Sequence, residues 1–287
     1  MPGTKLNNGG QEAAVDSAMD RNRQILHELV RRFGWLYRIR PQSLAEPLYR
    51  LVRPYGGRAI IEVEGVRLFI DPFTTHGMNF VMNGHYEADV AALVREKLPI
   101  GGTFLDIGAN EGVISSIAAR HMGPQGLVIA VEPQIRLRDL LEINLALNSR
   151  GTFRIIEAAI TAEGGDTVTI NLGPTSHSGG SSLVRSYRWG GLRQEVAGRS
   201  VDSIVAELGE RTVDLMKVDV EGFEPEVVRS ARASLADRRI ACLAVDYHNS
   251  ILVTRGITAA SVDAEICSYG YRRERGAPET GYTVYVA

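Results

Sequence analysis

The feature that most constrains this chain of 287 residues is a short apolar run that gives way to a glycine-rich turn and then directly to an amphipathic pattern. Residues 103–108, TFLDIG, hold too little polarity for a half-exposed strand and read as a strand buried on both faces. The turn Asp106-Ile107-Gly108-Ala109-Asn110-Glu111-Gly112 overlaps its end, and behind it Val113, Ile114, Ile117 and Ala118 fall on one face of a helix. A strand buried on both faces needs covering from both sides. Repetition of such a unit therefore predicts a parallel sheet wound by crossover helices.

The unit does repeat. GLVIAVEP (126–133) reads as the second strand, and its helix carries Leu137, Leu140, Leu141 and Leu145. FRIIEAAI (153–160) is expected as one third strand. The glycine- and serine-rich stretch 171–191 interrupts the rhythm as a loop or lid, and VDLMKVDV (213–220) resumes it. A helix is expected over about 224–235, with Pro225 in its first turn, where a missing N–H costs little. RIACLAVDYH (239–248), a helix over 257–269 and the closing GYTVYVA complete the pattern. Residues 73–287 thus predict a doubly wound, mostly parallel α/β domain.

Ahead of it, residues 1–20 are polar and read as a mobile lead-in. Ile25, Leu26, Leu29, Val30 and Phe33 then form a helical stripe, with Arg21, Glu28, Arg31 and Arg32 facing away. Gly34 interrupts the stripe, and Pro41, Pro47 and Pro54 break the next segment into short helical pieces. AIIEVEGVRLFID (59–71) predicts a hairpin turning at Glu64-Gly65, and a helical stretch ends near Leu98. Residues 1–72 are accordingly expected to be a cap or a dimerisation segment.

Composition excludes several classes. No apolar run approaches the roughly 18 residues of a membrane-spanning helix, and the N-terminus lacks the pattern of a secretory signal. Cys242 and Cys267 are the only cysteines, too few for a disulfide scaffold or a cysteine-rich zinc site, and both read as core residues. A reducing cytoplasm is the expected compartment. Residues 1–58 carry ten Lys/Arg against five Asp/Glu, whereas the remainder carries 22 against 29. That acidic body argues against nucleic acid as the partner.

The turn also bears chemistry. Glycines let backbone N–H groups approach a ligand, and the following helix start favours a negative group. Glu132, placed 20 residues after Gly112 at a strand end, can accept the hydroxyl protons of a ribose. Together these indicate an adenosine-containing cofactor. The dinucleotide fingerprint G-x-G-x-x-G is absent, because Asn110 stands at its second glycine and Gly112 comes one residue early. A nicotinamide dehydrogenase is therefore the weaker reading. An acid two residues before the first glycine is the pattern of S-adenosylmethionine enzymes.

FLDIGANEGVIS, VEP, the Asn144/Asn148 pair, EAAI, SVDSIV and VDLMKVDVEGFEPEVVRSA together resemble the FkbM family of methyltransferases, in order, over roughly residues 84–250. The resemblance implies a seven-stranded Rossmann-like methyltransferase sheet and S-adenosylmethionine-dependent O-methylation, commonly of sugar or secondary-metabolite hydroxyls. By position, Asp106, Gly108, Asn110 and Gly112 would hold the methionine end, Glu132 the ribose, and Ala158 and Ala159 would lie beside the adenine. Glu87 would reach cofactor or acceptor, or else serve only as a helix-start acid. Glu111 and the long N-terminal region depart from the family pattern.

Asp219 and Glu221 are two apart at one strand end, and Asp246 and His248 at another. In extended backbone each pair would share a face. His248 is the expected general base, because an imidazole titrates near neutrality. Asp219 and Glu221 would orient the acceptor hydroxyl; these acids could also hold a divalent cation, though no metal site is assigned. Lys217 is expected to pair with an acid and to take no catalytic part. His177, with Ser176, Ser178, Ser181 and Ser182, reads as solvated loop or as a contact to a hydroxylated acceptor.

Overall fold

The structure, a computed structural model, describes residues 24–28, 30–33, 58–63, 65–72, 74–84, 87–173, 181, 183, 192–280 and 282–287. The chain divides into two compact units, residues 1–86 and 87–287. In the first, β1 (Ala59–Val63) and β2 (Val66–Ile70) pair antiparallel with Val63 opposite Val66, the predicted hairpin, and Gly65 turns between them; Glu64 lies outside the described residues. Helix α1 (Thr75–Asn83) follows, capped by Thr74, whose hydroxyl accepts from the Gly77 N–H. Of the N-terminal stripe, Leu26 and Val30 are buried but Ile25 is exposed. The apolar face is thus narrower than the sequence pattern. Leu29, Arg21, the lead-in 1–20 and the proline-broken segment 34–57 lie outside the described residues.

The second unit is built on a seven-stranded sheet of order β11–β12–β10–β9–β3–β4–β5. Its members are β3 (Thr103–Ile107), β4 (Leu127–Val131), β5 (Thr152–Ile156), β9 (Leu215–Val218), β10 (Cys242–Asp246), β11 (Arg272–Arg275) and β12 (Tyr282–Val286). The five strands from β10 to β5 are parallel, and β12 and β11 close the far edge antiparallel. The predicted doubly wound sheet is the one found.

Alternation along each strand feeds two layers. Leu105, Ile107, Ile129, Val131, Met216, Val218, Leu243 and Val245 join one buried cluster with residues of α5 (Val201–Ala206), α6 (Glu224–Ser230), α7 (Arg232–Ala236) and α9 (Ala259–Ser268). Helix α3 (Val113–Met122) packs against the sheet and against α2 (Ala88–Lys97) and α4 (Arg138–Asn148), burying its predicted face of Val113, Ile114, Ile117 and Ala118. Because β3 is flanked by β4 on one side and β9 on the other, the winding reverses there. Such reversal points open the crevice in which ligands of these sheets bind.

Three local expectations are corrected. FRIIEAAI is not one strand: the chain leaves the main sheet after β5, and β6 (Ala158–Ile160) joins a separate sheet of order β6–β8–β7. That sheet was not foreseen, because β8 (Leu192–Arg199) is mostly polar and exposed on one face. Asn171 and Leu172 belong to β7 (Thr167–Leu172) rather than to a loop. The helix expected over 224–235 breaks at Ala231 into α6 and α7, and α8 (Asn249–Thr254) is additional.

Candidate functional site

The parallel strands end side by side, so the residues just past β10, β9, β3 and β4 form a continuous rim. At its centre the turn after β3 bends sharply. Gly108 has φ +85°, and a Cβ there would lie 1.9 Å from the Asp219 carbonyl oxygen. That glycine is required because the backbone of the β9 end crosses directly over it. Gly112 (φ +79°) would strike the Leu141 side chain. Close packing, rather than ligand approach alone, thus explains both glycines.

Asn110 has φ +51°, an uncommon conformation for a residue with a side chain. Its N–H donates to Glu132 Oε2 at 2.8 Å, and Gln134 N–H donates to Glu132 Oε1 at 2.9 Å. Glu132 is buried; desolvation pushes its carboxyl up, and the two backbone bonds oppose that. Asp106 is fully buried beneath the turn, accepting from Ser115 Oγ at 2.6 Å and facing Lys217 Nζ at 3.6 Å. Ala158 and Ala159, also buried, follow β5 at the edge of the same rim.

One group escaped the sequence reading. Gln134 Oε1 accepts from Arg136 Nη2 at 2.7 Å and from Ser181 Oγ at 2.8 Å, and Ser181 Oγ accepts from Gly173 N–H at 2.9 Å. Ser181 is therefore buried and tied to the Glu132 loop, not solvated. His177, Ser176, Ser178 and Ser182 lie outside the described residues.

Across the rim, the expected sharing of faces by alternation does not hold. β9 ends at Val218 and β10 at Asp246, and Glu221 sits at φ +51° in a turn. The turn itself brings the groups together. His248 Nε2 lies 3.7 Å from Asp219 Oδ1 and 3.8 Å from Glu221 Oε1. Arg255 braces this turn: it donates to the Gly222 carbonyl, pairs with Glu226 and lies 4.9 Å above the Phe223 ring. Among the described residues, four without glycine's freedom have positive φ, namely Glu87, Asn110, Glu221 and Arg238. Three of those four were singled out from sequence, and backbone strain concentrates at functional sites.

The charges interlock. Lys217, buried, holds Asp219 Oδ2 at 3.1 Å and faces Asp106, the acid pairing expected of it. Burial works against its charge, but Asp219, Tyr282, Asp106 and Glu87 outweigh it and keep it an ammonium. Glu87 makes no side-chain cap bond to α2 and instead adds to the field at Lys217. Burial and then the Asp219 charge push Asp246 up. For His248, burial favours the neutral ring, yet its bond to Glu224 and the charges of Asp219 and Glu221 prevail and raise it to about 9. The expectation of titration near neutrality is corrected accordingly. Asp219, Asp246 and His248 each offer a donor atom within 4.8 Å of the others. Lys217 and the His248 ring already supply positive charge there.

A family model described as the methyltransferase FkbM domain matches residues 106–273. A comparison with the curated proteins finds no match. Among solved structures, the chain is similar to Aeropyrum pernix fibrillarin, determined with natively bound S-adenosyl-L-methionine, at 16% identity and a TM-score of 0.41, over 80% of this chain and 81% of that one. It is similar to a TehB-like S-adenosylmethionine-dependent methyltransferase of Corynebacterium glutamicum at 12% identity and a TM-score of 0.41, over 73% and 92% of the two chains. An O-methyltransferase of Bacillus cereus in complex with S-adenosylhomocysteine aligns at 14% identity and a TM-score of 0.38, over 71% and 82%.

Proposed function

The chain belongs to the FkbM methyltransferase family, and on that footing we propose that it transfers a methyl group from S-adenosylmethionine to a hydroxyl of a sugar, glycolipid or small secondary metabolite. Bound S-adenosylmethionine supplies an electrophilic methyl carbon on a sulfonium, whose electron pair stays on sulfur as the acceptor oxygen bonds to that carbon.

The residues fit this cofactor. Each Glu132 oxygen spends one lone pair on a backbone N–H and keeps capacity for a ribose hydroxyl. Asn110 Oδ1 is buried without a hydrogen-bond partner, beside a turn whose neighbouring helix starts at Val113. Asp106 supports the turn from beneath, through Ser115 and Lys217, while Gly108 and Gly112 shape it. Ala158 and Ala159 present small apolar surface for an adenine.

The observation that carries the O-methyl reading is the convergence of His248 Nε2, Asp219 and Glu221 next to that turn. An alcohol is a weak nucleophile until its proton is taken. Asp219 and Glu221 accept hydrogen bonds from a polyol and orient it, and His248 Nε2 takes the proton. Raised to about 9, the ring is mostly protonated at neutral pH, and the free form that accepts the proton grows as pH rises. No metal is assigned a part.

A labelled-methyl assay on extracts of the source cell, with mass analysis of the product, tests the proposal. Label on oxygen supports it, and label on nitrogen replaces it with N-methylation. Turnover abolished by chelator and restored by magnesium would assign activation of the acceptor hydroxyl to a bound cation that lowers its pKa, in place of His248. Calorimetry showing NAD binding in place of S-adenosylmethionine would favour a dehydrogenase.

For residues 1–72 the proposed role is a cap or a homodimer contact, to be tested by deletion and solution mass. Among the described residues no helix is long and apolar enough to cross a membrane. A cytoplasmic location and the absence of a nucleic-acid partner, suggested by the acidic body, remain part of the proposal.

A further inference from the structure

Glu224 has no place in the mechanism above, yet it is one of the most deeply buried charged groups in the unit, with a fully inaccessible side chain. It opens α6, directly after the strained turn that presents Asp219 and Glu221. Its Oε1 accepts from the Gly222 N–H at 3.0 Å and lies 2.8 Å from His248 Nδ1. One carboxylate oxygen therefore ties the turn after β9 to the ring after β10. Gly222, at φ +96°, abuts Ile251 of α8, so this side of the turn is filled.

We propose that Glu224 is a positioning residue, which holds the His248 ring by Nδ1 so that Nε2 is the atom turned toward Asp219, Glu221 and the acceptor hydroxyl. The proposal rests on the methyl-transfer reading and deepens it.

The chemistry of imidazole makes this matter. A neutral ring carries one proton, and only the other nitrogen can accept. A carboxylate at Nδ1 keeps that proton on Nδ1 and leaves the Nε2 lone pair free. With the opposite tautomer, Nε2 would be a donor, and the ring could take no proton from an alcohol. An acid that orients the base from behind, without touching substrate, is the logic of the serine-protease triad. Here the groups facing the ring are Glu224 from α6, Asp219 and Glu221 from the turn after β9, and Asp246 from β10, with Lys217 offsetting them.

The test is nitrogen-15 NMR on full-length protein labelled at histidine, with the His248 signal identified by its loss in His248→Asn. Above the ring's titration, wild-type protein should show the Nδ1–H tautomer, the minor form of a free histidine side chain. Glu224→Ala should shift the ring to the Nε2–H form, and Glu224→Asp should restore part of the Nδ1–H signal. A purely structural role for Glu224 would leave the tautomer unmoved in any folded variant, and that result overturns the proposal. Nε2–H in the wild type overturns it too, whether or not a variant folds. Calorimetric titration with S-adenosylmethionine on the same samples keeps the two readings apart. Binding with the wrong tautomer sinks the role of Glu224, whereas absent binding sinks the methyl-transfer reading.

Discussion

Replacing Gly108 by alanine probes the junction on which both halves of the site depend. The new Cβ would meet the Asp219 carbonyl oxygen at 1.9 Å, and that oxygen belongs to backbone. Asp219 cannot yield cheaply, because its N–H is bonded to the Ile107 carbonyl at 3.0 Å, in continuation of the β3–β9 ladder. Forcing an extra carbon into such packing costs about 1–3 kcal/mol. The positive φ adds about 1–2 kcal/mol for a residue with a side chain. Gly209→Ala is the natural control, since φ there is +60° and no atom lies within 4 Å. It should lose only the conformational part. At roughly 3 °C per kcal/mol for a unit of this size, Gly108→Ala should melt about 6–15 °C lower and Gly209→Ala about 3–6 °C lower. Calorimetric melts of the two variants, with cofactor titration alongside, measure both effects. Gly108→Ala should also weaken cofactor binding, and Gly209→Ala should not. Equal melting temperatures would refute the argument that the β9 backbone dictates this glycine.

The buried charges set three further outcomes. Glu132→Gln should weaken S-adenosylmethionine binding by about 2 kcal/mol, roughly 30-fold, as loss of charge-assisted bonds does; unchanged calorimetric affinity in a folded variant removes Glu132 from the site. Lys217→Met strips the buried Asp106 carboxylate and the partly exposed Asp219 of their counter-charge and should cost about 3–5 kcal/mol in urea unfolding. A variant as stable as wild type would mean those acids are protonated. His248, raised from 6.5 to about 9, contributes stability that is complete below 6.5 and is lost as pH climbs through 9. The gap between wild type and His248→Asn should therefore be largest at pH 6, at most about 3 kcal/mol, and shrink by pH 9.5. A gap that widens with pH would show that the ring folds in its neutral form.

The sheet was legible because it rests on what a sequence displays well. TFLDIG, GLVIAVEP and RIACLAVDYH are apolar on both faces, and Val113, Ile114, Ile117 and Ala118 keep helical spacing. The second, smaller sheet was not legible, because its longest strand, β8, alternates exposed Arg193 and Glu195 with half-buried Gln194. Its inner surface is built from pairing with β6 and β7 rather than from an apolar run. Strand-end residues such as Glu132 stood out through position, whereas Gln134 and Glu224 act through partners far along the chain, Ser181 and His248. Nothing local marks such partnerships.

The acceptor side teaches the same point from the other direction. Period-two spacing suggested that Asp219 would join Glu221, and Asp246 would join His248, yet both strands end before the second member of each pair. What unites these side chains is a turn held at unfavourable φ by Arg255 on one side and by Glu224 on the other. A strand would have aimed its residues at fixed intervals along one edge. A braced turn aims them at a common point, and it lets the carboxylates of one strand end close on the imidazole of the next. The groups most concerned with chemistry are thus placed by the part of the backbone that departs furthest from regular structure, and the regular sheet beneath supplies the rigidity that makes such strain sustainable.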